Sequence, residues 1–328
     1  MNRIFLVFLV FVSCRVCGQD GFIYTVNGKT SIQNLNLSLT HEHIMSNFGS
    51  PPSADSKYDS AALFKQVVPY LSKIKALGVS SIFDCTAAYF GRNVSMLKLL
   101  SRVSGIQIIT NTGFYGAHND YYVPDFVKNA TVEEIAAIWI AEFNNGIERT
   151  GIKPGFIKLG FDAGTPSEID LKLFKAGILT HLQTGLTMVV HTGNNLAAAK
   201  EQIKLLNDRK ISASAWVWAH ANQVKDMELL QKAALMGGWI SLDGVKVSNV
   251  MEYVEMIELF RSKKLMHKIL LSHDGNSFPR GGAIREYEAI FSALIPELKK
   301  RGFADTEISQ LMIKNPQEAF AIRVRLIE

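Results

Sequence analysis

A single closed barrel of eight parallel strands, each followed by a helix, is the fold this sequence predicts. Three observations carry that expectation. Eight short β-branched runs bounded by Gly or Pro alternate with amphipathic stretches, and such alternation implies parallel strands. No linker or composition break divides the 328 residues, a length that α/β barrels absorb as one domain. An open doubly wound sheet would want a glycine-rich phosphate loop early in the chain, and neither G-x-G-x-x-G nor G-x-x-x-x-G-K-[ST] occurs.

The elements follow in order. Met1-Asn2-Arg3 precedes nine apolar residues from Ile4 to Val12, a basic start and apolar run that read as a secretory signal. The run is too short to span a bilayer, which takes about 20 residues. Cleavage is expected after Gly18, which removes residues 1–18 and leaves 19–328 as one barrel domain, exported to the periplasm or the medium. The alternative is a loose lipobox, Phe11-Val12-Ser13-Cys14, that would leave a lipid anchor on Cys14. After cleavage at Gly18, Cys85 is the one cysteine left, so no intramolecular disulfide can form and the core must hold the fold.

Tyr24-Thr-Val-Asn-Gly-Lys then reads as a short hairpin. Strands are expected over 35–41, 78–85, 106–112, 155–160, 186–191, 215–220, 238–243 and 268–273. Between them apolar residues recur at i, i+3, i+4 spacing, as over 61–76, 132–149, 169–184, 224–236 and 284–300, the pattern of helices that bury one face. The loop after the eighth strand, 275–282, is then short and polar, without an elaborate lid. Hydrophobic residues make up 48% of the chain and charged ones 20%, enough apolar surface for a sizeable core. The formal charge of +5 falls to +3 without Arg3 and Arg15, 33 cations against 30 anions. That balance is too mild and scattered to suggest nucleic acid or an anionic membrane as partner.

The strand interiors are apolar but their C-terminal ends are not. The first run leads into Thr40-His41-Glu42-His43, the fourth carries Lys158, the fifth ends at His191, the sixth at His220, and the eighth at Ser272-His273-Asp274. Residues two apart on a strand face the same side, so His41 and His43 point together, while His273, beside Asp274, points the other way. In a parallel barrel all strand C-termini open on one face, where active sites sit. Any one histidine at a strand end is more often a hydrogen-bonded surface or core residue than a ligand, and His118, His181 and His267 show no partner pattern. The coincidence of six such residues at five strand ends is what points to a metal cluster. Imidazole and carboxylate suit zinc, with manganese, cobalt and iron accepting the same donors. An ammonium does not suit a cation, but an amine stripped of water sheds its proton more readily, and the neutral amine can take up carbon dioxide to become an anionic carbamate.

These residues, with Gly78-Val79, Thr112-Gly113-Phe114-Tyr115, His191-Thr192, Leu242-Asp243 and Lys314-Asn315-Pro316, resemble the phosphotriesterase family of the amidohydrolase superfamily, in particular its lactonase and homology-protein branch. The resemblance covers nearly all of the chain after the expected signal and implies a TIM-barrel hydrolase with two divalent metals. It implies that His41, His43 and Asp274 hold the more buried metal and His191 and His220 the more exposed one. Carbamylated Lys158 and a hydroxide would bridge them, Asp274 would take the nucleophile's proton as general base, and the barrel would form a homodimer. The resemblance is incomplete. Organophosphate-hydrolysing members relay the proton through a histidine and a second aspartate, where this chain has Gly244 and Gln223. Lactone-hydrolysing members often carry an arginine at the place of Gly244 and keep a tyrosine that Tyr115 matches. Tyr121, Tyr122, Phe278 and Arg280 are further candidates for the pocket wall.

The expected substrate is therefore a small lactone or related carboxylic ester, whose carbonyl fits between a bridging hydroxide and an exposed metal. The alternatives are a phosphotriesterase or amidase of the same family, or an exported barrel that binds metal or a small ligand without turnover.

Overall fold

The computed structural model describes residues 21–327; the expected signal over 1–18 and the alternative anchor at Cys14 lie outside the described residues. Strands β1 (Phe22–Thr25) and β2 (Gly28–Ser31) pair antiparallel as the expected hairpin. The Val26 N–H hangs that hairpin on the barrel wall by donating to Ile108 O at 2.9 Å. The barrel strands follow as β3 (Ser38–His43), β4 (Ser81–Asp84), a third strand in two pieces, β5 (Gln107–Ile109) and β6 (Asn111–Thr112), then β7 (Phe156–Gly160), β8 (Met188–His191), β9 (Trp216–Ala219), β10 (Trp239–Leu242), and an eighth also in two pieces, β11 (Ile269–Leu271) and β12 (Gly275–Asn276). Each pairs parallel with the next. β12 pairs parallel with β3 through Gly275↔Glu42 and Asn276↔His43, which closes the ring. Helices α1 (Ser60–Ala76), α2 (Val94–Ser104), α3 (Val132–Asn145), α4 (Glu168–Thr184), α5 (Leu196–Asp208), α6 (Met227–Leu235) and α7 (Val250–Ser262) fill the crossovers, and α8 (Ile295–Lys300) follows the eighth strand.

The barrel interior is packed. Phe83 on β4 meets Phe156 on β7 at 5.8 Å between ring centroids and Phe320 at 4.2 Å. β4 and β7 are not neighbours in the sheet, so these contacts cross the interior. Asp59, Thr131 and Ser167 each accept hydrogen bonds from N–H groups in the first turn of α1, α3 and α4, donors that a helix cannot satisfy internally. Cys85, just after β4, is the free cysteine among the described residues. Its N–H donates to Glu42 O at 2.8 Å, and its buried thiol lies 3.9 Å from Thr40 O.

The closing seam rests on one side chain. Glu42 points out of β3, away from His41 and His43, and is buried. Its Oε1 accepts from the Ser272 hydroxyl (2.8 Å), the His273 N–H (3.0 Å) and His273 Nδ1 (2.8 Å), and its Oε2 from the Gly275 N–H (2.6 Å). His273 thus faces away from the cluster, as its place beside Asp274 requires. Its Nε2 accepts the Ile290 N–H at 3.1 Å. A Cβ at Gly275 would stand 2.2 Å from the Tyr287 ring, so the strand passes here only as glycine.

The structure differs from the sequence pattern in three places. The first strand runs to His43, two residues past its expected end, across a register shift between Leu39 and Glu42. The expected helix 132–149 breaks at Gly146, whose φ of 94° is left-handed, and ends in a short 3-10 turn over Ile147–Arg149. The expected helix 284–300 does not begin at 284. Arg285 is paired through its backbone with Asn276 in both directions, at 2.9 and 2.7 Å, and Tyr287 is buried between the Tyr70 and Ser277 hydroxyls. Helical geometry starts near Ile290 as a π-turn. The loop after the eighth strand is therefore longer than expected and anchored, because tertiary partners outweigh an apolar periodicity that was only local.

His181 is structural, as its lack of a partner pattern suggested. It is buried on α4, with its Nδ1–H donating to Leu186 O (2.8 Å) and its Nε2 accepting the Arg325 N–H (3.0 Å). Burial holds its pKa down at about 4, whereas the unfolded imidazole protonates near 6.5. Its stabilising contribution is intact above about pH 6.5 and falls away as pH drops to 4, by about 3 kcal/mol. Urea melts of the wild type and His181→Gln across that window should show a difference that shrinks by this amount; parallel curves would refute it.

Candidate metal centre

The C-terminal ends of five barrel strands converge on one cavity of about 180 Å³, lined by His41, His43, Lys158, His191, His220 and Asp274 together with Phe48, Phe90, Tyr115 and Arg285. All six residues expected to act together are thus brought together. Strand alternation turns His41 and His43 inward from β3. His220 and Asp274 arrive differently, each just beyond a strand end with φ of 60° and 50°. This left-handed backbone is one that His and Asp adopt more readily than most residues, and it swings both side chains back over the barrel mouth.

The hydrogen bonds behind the imidazoles fix which nitrogen faces the cavity. His41 Nδ1 lies 2.9 Å from Asp243 Oδ2, and a carboxylate can only accept, so this nitrogen carries the proton. Asp243 also accepts the His220 N–H (2.8 Å) and the Ser241 hydroxyl (2.6 Å). His43 Nδ1 lies 2.9 Å from Thr86 Oγ1, and the Thr86 hydroxyl donates its own proton to Met45 O at 2.8 Å. His43 must therefore donate as well. Both Nε2 lone pairs are left to point inward, His41 Nε2 at 3.0 Å from Lys158 Nζ and His43 Nε2 at 3.2 Å from Asp274 Oδ1. The rings of His191 and His220 stand 4.4 Å apart, and the Tyr115 hydroxyl is 3.2 Å from His191 Nδ1.

Electrostatics favour the ligand forms. Burial lowers the pKa of His41, of His191 and of His220, the last to about 4, and the repulsion that a second proton would meet pushes the same way: Lys158 against His41, His220 against His191, His41 against His220. Neutral imidazole is the form that binds metal. Burial would raise the pKa of Asp274, but the neighbouring His43, His220 and His41 imidazoles outweigh it and hold the carboxyl well below its usual range. His41, His43 and Asp274 place one donor atom each within 4.8 Å of one another, as do His41, His220 and Asp243, so this donor set could hold a divalent ion. Lys158 is buried, and no carboxylate among the described residues lies within ion-pairing distance of its amine.

Three parts of the site were not anticipated. Asp243 and Thr86 hold the histidines from behind. Phe48 and Phe90 form the wall with Tyr115, Phe90 and Tyr115 stacking at 5.2 Å and 10°. Arg285 stands at the outer face of Asp274, 3.1 Å from Oδ2. The other suggested wall residues do not line the cavity. Tyr121 is exposed, Tyr122 packs behind Phe90 at 4.6 Å, and Phe278 and Arg280 pack on Tyr58. Gly244 and Gln223 place no titratable group at the expected relay positions, and Gln223 is exposed. Tyr115 fits only because residue 160 is glycine, where a Cβ would meet its ring at 2.8 Å.

Comparison with known proteins bears on this site. Residues 21–320 match the phosphotriesterase family. The phosphotriesterase homology protein of Escherichia coli K12 is 25% identical over 290 residues, 86% of this chain and 97% of that protein. The N-acetyltaurine hydrolase of Xenopus tropicalis is 24% identical over 91% of this chain and 97% of its own length. Among solved structures, a triply substituted organophosphorus hydrolase from Deinococcus radiodurans superposes with a TM-score of 0.82 at 22% identity, covering 91% of this chain and 97% of that one.

Because Asp243 fixes the His41 ring, Asp243→Asn should weaken divalent-metal affinity about ten- to hundredfold while the circular dichroism spectrum is unchanged. Competition with a chromogenic chelator reads this without any substrate, and an unaltered affinity would show that Asp243 does not orient the ligand.

Proposed function

The chain belongs to the phosphotriesterase family, and on that footing we propose that it is a two-metal hydrolase that opens a small lactone or related carboxylic ester after export. The observation that carries this reading is the inward Nε2 pair of His41 and His43, each tied from behind by a committed acceptor, facing Asp274 and a buried lysine. His41, His43 and Asp274 would hold one divalent ion, and His191 and His220 a second. Zinc is the leading candidate, with manganese, cobalt or iron accepting the same donors. Bound there, two dications would supply Lewis acidity, lowering the pKa of a captured water and polarising the substrate's carbonyl oxygen.

Lys158 completes the donor set by modification. As the free amine, its Nζ attacks carbon dioxide, a C–N bond forms, one amine proton leaves to solvent, and the product is a carbamate anion with two oxygens able to span two ions.

The remaining steps fall to the chain's own groups. Phe48, Phe90 and Tyr115 strip water from the bound ester, and the Tyr115 hydroxyl can orient the leaving oxygen. Asp274 takes the attacking water's proton. With no titratable group at Gly244 or Gln223, that proton passes from Asp274 straight to solvent; the carboxylate is 27% exposed at the cavity mouth. A lactone suits this arrangement because its alkoxide stays attached after ring opening. The similarity to an N-acetyltaurine hydrolase makes an amide the rival bond, and turnover of simple amides with lactones inert would select it.

Two measurements test the centre. Elemental analysis of protein grown with bicarbonate should find close to two divalent ions per chain; a value near zero after refilling with zinc or manganese would sink the assignment. Lys158→Ala should lose activity by at least about a hundredfold, and short acids such as propionate should restore part of it by standing in for the carbamate. Full activity in Lys158→Ala would exclude the carbamate.

A further inference from the structure

Arg285 is held more firmly than a loop residue needs to be. Its backbone is paired with Asn276 in both directions. Its Nε–H donates to Asp274 O at 2.7 Å, and Nη2 is ion-paired with Asp274 Oδ2 at 3.1 Å. A guanidinium has five N–H donors in a fixed fork, and the Nε–H is the one that these contacts commit as a hydrogen-bond donor. The rest belong to a side chain that is 33% exposed, lines the cavity, and lies 5.7 Å from the Phe48 ring centroid. Apart from Lys158 it is the cationic group on a wall otherwise made of aromatic rings and site residues. It also borders a neighbouring groove of about 580 Å³ that Val245 and Ile284 help to line.

We infer that the substrate carries a small monoanionic group, a carboxylate or sulfonate, that the free edge of the Arg285 fork recognises while the scissile acyl bond lies over the His41–His43–Asp274 cluster. This rests on the hydrolase reading. It names the class of ester, lactone or amide within it, one bearing an anion close to the reacting carbonyl. Planar forks match carboxylate-like anions two oxygens at a time. A chain with so mild a net charge exerts no long-range pull, so selection must occur at contact, by a cation fixed before the substrate arrives. The cavity is smaller than a typical drug-sized site, which excludes a long acyl tail from it.

The test compares acetoxyacetate with the uncharged acetoxyacetamide, and acetyl isethionate as the sulfonate counterpart, on metal-loaded wild type, Arg285→Gln and Arg285→Lys. The wild type should favour the anionic esters by roughly ten- to hundredfold in kcat/KM, mostly through KM. Arg285→Gln should bring the ratio to within about threefold of unity, and Arg285→Lys should keep part of it. Losing the strut on Asp274 would lower kcat for charged and uncharged esters alike, so the ratio isolates contact with substrate. Equal wild-type kcat/KM for the matched pair, or a ratio that Arg285→Gln leaves intact, overturns the anion site while the hydrolase reading stands. Calorimetric titration with the unreactive ether ethoxyacetate separates the two ideas. Binding that Arg285→Gln abolishes supports the anion site even if no ester turns over, an outcome that would count against the hydrolase alone. Binding undiminished in that variant would mean that the metals take the carboxylate, and the inference fails.

Discussion

The Glu42 carboxylate gathers four donors from the last strand of the barrel onto the first, and most of the site inherits its geometry from that contact. A parallel barrel closes only where its two chain-distant edges meet, and here the second of those edges is interrupted between β11 and β12. The ladder is thin at the point where Asp274 has to leave it. A buried carboxylate fully supplied with N–H and O–H donors replaces the missing ladder bonds, and leaving any of those donors unpaired would be costly. With the seam fixed, alternation along β3 sets His41 and His43 on the inside because Glu42 is on the outside. Closure and ligand presentation are two faces of one tripeptide.

Asp243 plays a matching part across the barrel. One carboxylate oxygen takes both the His41 ring proton and the His220 main-chain N–H, and the other takes the Ser241 hydroxyl. The Tyr253 hydroxyl holds its main-chain oxygen at 2.6 Å. The residue therefore couples β3, β9 and β10 at the level of the cavity floor. Burial alone would raise its pKa, yet the His41 ring that donates to it and the neighbouring His220 ring outweigh this and keep it well below the usual range. It stays an acceptor, and the imidazole it orients keeps one tautomer.

Much of this was legible in the chain because it follows from period and position. Eight alternating units predicted the barrel, and polar residues at the strand ends picked out His41, His43, Lys158, His191, His220 and Asp274, which the structure brings into one cavity. What escaped has a common physical reason. Phe48, Phe90 and Arg285 sit on loops, where no period relates a residue to the barrel axis. Arg285 lay inside a stretch whose apolar spacing imitates a helix until Tyr287 is seen buried and Arg285 paired with Asn276. Tyr115 is set apart by its match to a family tyrosine, whereas Tyr121, Tyr122, Phe278 and Arg280 are loop residues that no spacing selects; exposure of Tyr121 and packing of the others on Phe90 and Tyr58 keep them off the cavity. Asp243 stood in plain view at a strand end, but its bond to the far side of His41 gives it a supporting place that spacing does not distinguish from a ligand's.

The placement of Cys85 makes the protein its own gauge of opening. Its thiol is sealed against Thr40 O where the first two barrel strands meet, and burial pushes its pKa up, so that it is neutral as well as inaccessible. A thiol in that position cannot be reached by fraying of a helix or movement of the rim loops. Alkylation at this sulfur therefore counts only excursions in which β3 and β4 part, and its rate is a clock for breathing of the barrel wall beside the cluster, separate from any motion of the loops above it.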